Sequence, residues 1–134
     1  MNKKVKATFT AAAALAVTAI GMSPAHADDQ RWCSTTGANG GVTISNWTDP
    51  SAKVVLSIGL NDTKADGHHV RIRILSEQHD GKVVRWPWRK HTGGAGTGEQ
   101  WGTTASDDKG LFEIGVQVAR FEGDKLLDSC TDWS

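Results

Sequence analysis

The run from Phe112 to Phe121 restricts what this chain can fold into more than any other stretch. Phe112, Ile114, Val116 and Val118 fall on one side of an extended backbone, and Glu113, Gln117 and Ala119 on the other. A period of two belongs to a strand with one face buried. The run is too long and too apolar on one face for a sheet edge, so it predicts a central strand. The turn cluster Ser106 to Gly110 leads into it.

The same period recurs along the chain. Val42 to Trp47 reads as a first strand, stopped by Asp49-Pro50-Ser51. Val54, Leu56, Ile58 and Leu60 mark a second, and Val70, Ile72 and Ile74 a third with Arg71 and Arg73 facing away. His79-Asp80-Gly81 carries the signal of a tight hairpin, whose return strand is Lys82 to Trp88. Pro87 cannot donate to a ladder, so that strand lies at an edge or ends there. Glu99 to Ala105 is a fifth strand, the central run a sixth, and Lys125 to Cys130 a seventh. Seven short strands and no helical period predict an all-β, antiparallel two-sheet sandwich. Phe112, Ile114, Val116, Val118, Leu56, Ile58, Ile72 and Ile74 are expected inside it.

The ends of the chain speak to compartment. Lys3, Lys4 and Lys6 precede an Ala-rich apolar run, and Ala25-His26-Ala27 supplies a small-x-small cleavage pattern. Residues 1–27 therefore read as a signal peptide, and residues 28–134 as one secreted domain with no membrane attachment after cleavage. Losing three lysines leaves twelve cations against fifteen acids, a net charge near −3. That disfavours a nucleic-acid partner. Cys33 and Cys130 are the only cysteines, and in an exported chain such a pair predicts a disulfide.

Two resemblances follow. Asp108-x-Gly110-x-Phe112-x-Ile114 is similar to the Asp-x-Gly-x-Tyr-x-Cys turn before the sixth strand of immunoglobulin-like domains. It implies a seven-stranded immunoglobulin-like sandwich, although Phe112 lacks the hydroxyl of the tyrosine corner and Ile114 replaces the bridging cysteine. The chain as a whole resembles small secreted proteins of actinobacteria, through Asp62 to His69, Trp86-Pro87-Trp88 and Cys130-Thr131-Asp132-Trp133. That resemblance implies bacterial origin, export and fold, and no particular chemistry.

No motif points to catalysis. Asp62, Asp66 and Gly67 match three positions of a calcium loop, but Lys64 and Arg73 stand where ligands belong. His68 and His69 are adjacent and would point to opposite faces of a strand, while His79 and His91 fall in predicted loops, so no metal ligand set is assigned. Gly93 to Gly98 lacks the lysine and helix of a phosphate-binding loop and reads as a connection between sheets. No nucleophile elbow is present. An enzyme assembled from distant residues remains an alternative. No catalytic residue and no cofactor is assigned.

The candidate binding residues are Trp86, Trp88, Arg89, Lys90, His91 and Trp101. Rings beside cations stack on sugars or pack into a protein partner, with arginine adding charge-assisted hydrogen bonds. On unbroken strand spacing Trp86 and Trp88 share a face with Val84, and Arg85 and Arg89 take the other. The competing reading makes both tryptophans packing residues of an edge strand. Two function classes stand: a monomeric, non-enzymatic binding module for an extracellular glycan, cell wall or secreted protein, and a secreted inhibitor or antagonist of a foreign hydrolase. A structural surface-coat role is a third possibility.

Overall fold

The computed structural model describes residues 28–134; the signal-peptide reading of residues 1–27 lies outside the described residues. Among the described residues nine strands are found: β1 (Asp29–Thr35), β2 (Ala38–Ser45), β3 (Val54–Asp62), β4 (His69–Glu77), β5 (Val83–Arg85), β6 (Arg89–His91), β7 (Gly98–Ala105), β8 (Glu113–Glu122) and β9 (Lys125–Asp132). One sheet has the order β1-β2-β3-β7, and the other β5-β4-β8-β9 with β6 also paired to β4. Every pairing is antiparallel.

The all-β, two-sheet expectation holds, and the count of seven does not. Ser34 to Gly41, ahead of the first expected strand, forms the end of β1, a tight turn at Thr36-Gly37 and the start of β2. Its small residues suit the place. A side chain at Gly41 would collide with the Arg31 carbonyl and the Trp32 ring, so glycine lets the two strands approach beneath that indole. The expected return strand Lys82 to Trp88 shortens to β5, and beyond the break at Pro87 a second short strand, β6, follows. The first sheet also opens as a meander, with β3 beside β2, where an immunoglobulin constant-type sheet places its fifth strand beside the second.

The core lies between the sheets. Val42 and Ile44 of β2, alternate residues Val54 to Leu60 of β3, Val70 to Ile74 of β4, and Ile114, Val116 and Val118 of β8 are buried there. β8 is central in its sheet, flanked by β4 and β9. Phe112 is a correction: it is 46% exposed, and Leu111 occupies the core at 1%. Pairing with β4 ends at Glu113 opposite Glu77. Beyond it the Leu111 N–H donates to the Pro50 carbonyl and the Phe112 N–H to the Glu77 carbonyl. The chain thus leaves the strand one residue before the alternation does, and Leu111 turns inward.

Cys33 and Cys130 are joined, with Cα atoms 6.1 Å apart and a sequence separation of 97. Cys33 sits on β1 and Cys130 on β9, so the bridge ties together the edges of the two sheets on one side. Three hydrogen bonds accompany it. The Trp32 N–H donates to Asp132 Oδ2 (2.8 Å), Thr35 Oγ1 to Asp128 Oδ2 (2.7 Å), and Arg31 Nε to the Ile114 carbonyl (2.8 Å). Arg120 closes the adjoining end of the core, donating to Asp128 (2.8 Å) and Asp66 (2.7 Å).

Candidate functional site

The stretch Val83 to His91 forms the opposite side of the sandwich. β5 pairs Val84 with Ser76 and Arg85 with Leu75; β6 pairs Arg89 with Ile72, Lys90 with Arg71 and His91 with Val70. Four steps along this chain, Arg85 to Arg89, therefore oppose only three on β4, Leu75 to Ile72. The extra residue is a bulge at Pro87, the residue that cannot join the ladder. A one-residue slip reverses every later side chain.

That slip corrects the expected facing. Trp86 keeps the inward direction of Val84: its N–H donates to the Ile74 carbonyl (3.0 Å) and its Nε1 to the fully buried Ser76 hydroxyl (2.9 Å). Trp88 lies on the outer face. Arg89 and His91 point inward, Lys90 outward, and Arg85 no longer shares a face with Arg89. His91 is a buried strand residue rather than part of a loop, with Nε2 2.7 Å from Thr97 Oγ1 and Nδ1 3.1 Å from Glu99 Oε1. The Gly93 to Gly98 segment does connect the two sheets, and it is fastened at both ends. The Thr97 hydroxyl donates to the Gly94 carbonyl (2.6 Å), and the Gly96 N–H to the Asp62 carbonyl (2.8 Å).

Outside the second sheet, Trp88 joins a stack that sequence reasoning did not assemble. Its ring meets Phe121 edge-on at 5.2 Å, Arg73 lies 4.1 Å over its centroid, and Arg71 lies 4.0 Å over Phe121. His69 stacks on Phe121 from beside Arg71. Burial, then the neighbouring Arg85, pulls the Arg73 guanidinium below its ordinary value. Burial, then Arg71 and Lys90, lowers His69 below 6.5. Phe121 is 4% exposed although it lies outside the core. Its odd number, against the even Ile114, Val116 and Val118, is the signal that assigns it to the other face. Arg71 is held by Gly123 and Asp124 as well, so this stack is packed and internally bonded.

Inside the slip lies a cleft of about 340 Å3, open along the edge between β7 and β5/β6. Ile58 and Ile74 floor it, Trp86, Trp88 and Arg89 form one wall, and Thr103 of β7 the other. The Arg89 guanidinium carbon is 5.8 Å from the Trp101 ring centroid. Among the described residues Arg89 has neither an ion pair nor a hydrogen bond. The arrangement offers an apolar floor, flat rings and one uncommitted cation, a combination that holds a ligand with an apolar body and an anionic or hydroxyl-rich edge.

The six expected binding residues are thus divided. Trp86, Trp88 and Arg89 meet at the cleft, and Trp101 flanks it. Lys90 lies on the outer face and His91 serves the loop. All six tryptophans of the sequence are half-buried, none wholly inside and none free of contacts. The Asp62 to Gly67 turn is taken up internally: Asp66 faces Arg120, and Asp62 accepts from the Lys64 N–H. Comparison with protein-family models, with curated proteins and with solved structures found no match to this chain.

Proposed function

We propose that this chain is a secreted bacterial, non-enzymatic binding module whose ligand, a glycan, a cell-wall component or another secreted protein, occupies the cleft between β7 and β5/β6. The observation that carries this reading is the meeting of Trp86, Trp88 and Arg89 around one apolar opening, with the arginine unpaired. Half-buried arginines ordinarily find partners, because a guanidinium brings five donors. One left without a hydrogen-bond or ion-pair partner beside the inward Trp86 and Trp101 rings supports recognition of a ligand arriving from solvent. Export follows from the leader-like residues 1–27 and agrees with the disulfide.

Retention on immobilised polysaccharides, peptidoglycan and peptides tests the proposal, with the wild type compared to Arg89→Ala and to Thr103→Trp, which fills the cleft from β7. Each variant should lose at least about tenfold in retention while melting as the wild type does. Equal retention by all three proteins places function elsewhere. A second reading, a secreted inhibitor or antagonist, is favoured by the fastened Thr92 to Gly98 loop, since a pre-ordered loop binds at lower entropic cost. Slowing of a protease or glycosidase in a panel, lost on Thr97→Ala, would support it.

A further inference from the structure

Resting on the cleft as the binding site, we infer that the ligand is an extended, acidic polypeptide segment that adds as a strand to the free edge of β7. Each sheet of the sandwich has two edges, and three of the four are defended against strand addition. β1 and β9 are tied to each other by the disulfide and by bonds to Asp128 and Asp132. The β5/β6 edge is two three-residue pieces interrupted by Pro87 and flanked by Arg85, Arg89 and Lys90. Short strands, proline, bulges and charges are the usual means of blocking an edge.

β7 is not short and has no proline and no bulge. It runs eight residues, Gly-Glu-Gln-Trp-Gly-Thr-Thr-Ala, without proline, lysine or arginine, and pairs only with β3. Its other side presents a row of backbone donors and acceptors. Its single charge, Glu99, already contacts His91.

The position of the cleft makes this edge a site. A strand added to β7 lies about 4.8 Å beyond it, over the opening walled by Thr103 on one side and Trp86 and Arg89 on the other. Alternate side chains of the newcomer then point between the sheets, onto Ile58, Ile74 and the Trp86 ring. Main-chain bonds to β7 supply affinity, and the cleft selects the side chains. The charge of the facing wall decides which partner fits. Arg85, Arg89 and Lys90 have no ion-pair partner among the described residues, and β5, β6 and β7 together carry one carboxylate. A strand bearing Asp or Glu where it passes the cleft meets the inward, unpaired Arg89, with Arg85 and Lys90 adding positive charge from the outer face of the same edge; a basic one is repelled.

The disulfide-bonded protein is panned against a display library of random octapeptides. Selected peptides should be enriched in Asp and Glu. Synthetic copies should bind, and copies N-methylated at alternate amides should bind at least about tenfold more weakly, because a strand without its N–H groups cannot join the ladder. Arg89→Gln and Arg89→Glu, checked to melt as the wild type does, should weaken binding in that order. Selected peptides without enrichment in acids, or N-methylated copies that bind equally well, would overturn the proposal. So would a self-associating protein whose dimer dissociates on Trp101→Arg, since the occupant is then a second copy. Displacement of nothing by the peptides but binding of oligogalacturonate, lost on Arg89→Gln, would sink the strand and keep the binding module. Loss of both arms would sink both.

Discussion

The two long sides of this sandwich solve the same problem in opposite ways. Along β1 and β9 the sheets are joined covalently by Cys33–Cys130. Asp128 and Asp132 accept bonds from across that seam, and Arg120 closes its end. Along β7 and β5/β6 no bond crosses between strand backbones, the ladder slips by a residue at Pro87, and about 340 Å3 of cleft remains. The difference teaches how a small domain keeps a defect. The bridge closes a loop of 97 residues, and such a closure is worth ~4–5 kcal/mol in the chain-entropy account. That is close to the whole stability of a modest domain, so the open side can be left with little more than the His91–Glu99 contact across it.

Removing the bridge is the strongest way to break this contrast. Cys33→Ala with Cys130→Ala should lower unfolding stability by ~4–5 kcal/mol in a denaturant titration; a loss below ~1 kcal/mol would mean that the closed side does not carry the fold. Truncation of the shared core comes next, because it should not distinguish the sides. Ile114→Ala, at 1% exposure, should cost ~2–5 kcal/mol and leave the bridge formed, as a mass measurement of the unreduced protein would show.

On the open side, Trp86→Phe keeps the ring and removes the donor to the buried Ser76 hydroxyl. A loss of ~1–3 kcal/mol is expected from the unsatisfied group. No loss would show that the indole packs loosely and that the cleft wall is not structured by this bond.

Acid sharpens the contrast further. Burial raises the Asp66 carboxyl, but the bond from Arg120 and the His68 N–H hold it below 3.8 overall. Burial likewise raises Asp132, and the N–H groups of Trp32 and Ser134 bring it below 3.8. A folded value depressed below the unfolded one gives stability that is complete above 3.8 and lost as pH falls toward the folded value. Hydrogen exchange at β1 and β9 should therefore accelerate as pH drops below 3.8, more than at β7, which contains neither group, after correction for the intrinsic rate. Equal loss on both sides would contradict the assignment of these carboxylates to the closed seam.

The smallest effect tests the emptiest feature. Arg89→Ala should shift stability by no more than ~0.5 kcal/mol, since the guanidinium has no hydrogen bond to lose. A larger loss in thermal melting would mean that Arg89 and Trp101 hold the open side together.

Much of the fold was legible in the sequence, and the reasons are local. Leu56 to Leu60, Val70 to Ile74 and Ile114 to Val118 alternate without interruption, and each went inside as the period requires. Phe112 broke the pattern because pairing with β4 stops at Glu113 and Leu111 lies nearer the core. The candidate site was half legible. Trp86, Trp88 and Arg89 were found by residue type, and Pro87 signalled an edge. Their directions were lost because alternation counts residues in one strand, whereas a bulge is defined by the count on its neighbour. Arg73, Phe121 and Thr103 were absent from the candidate binding set, since none stands near the Trp-Pro-Trp segment in sequence.

Alternation, turn residues and a lone cysteine pair determined on their own that this chain is all-β, antiparallel and stapled, because each is a property of a few neighbouring residues and of the hydrophobic effect acting on them. Tertiary structure alone decided that nine strands form, that Trp86 turns in and Trp88 out, and that Arg89 faces a cleft without a partner. Those outcomes depend on the register of one strand against another. The energies that set register, namely pairing around Pro87 and packing against β4 and β7, join residues that the sequence keeps apart.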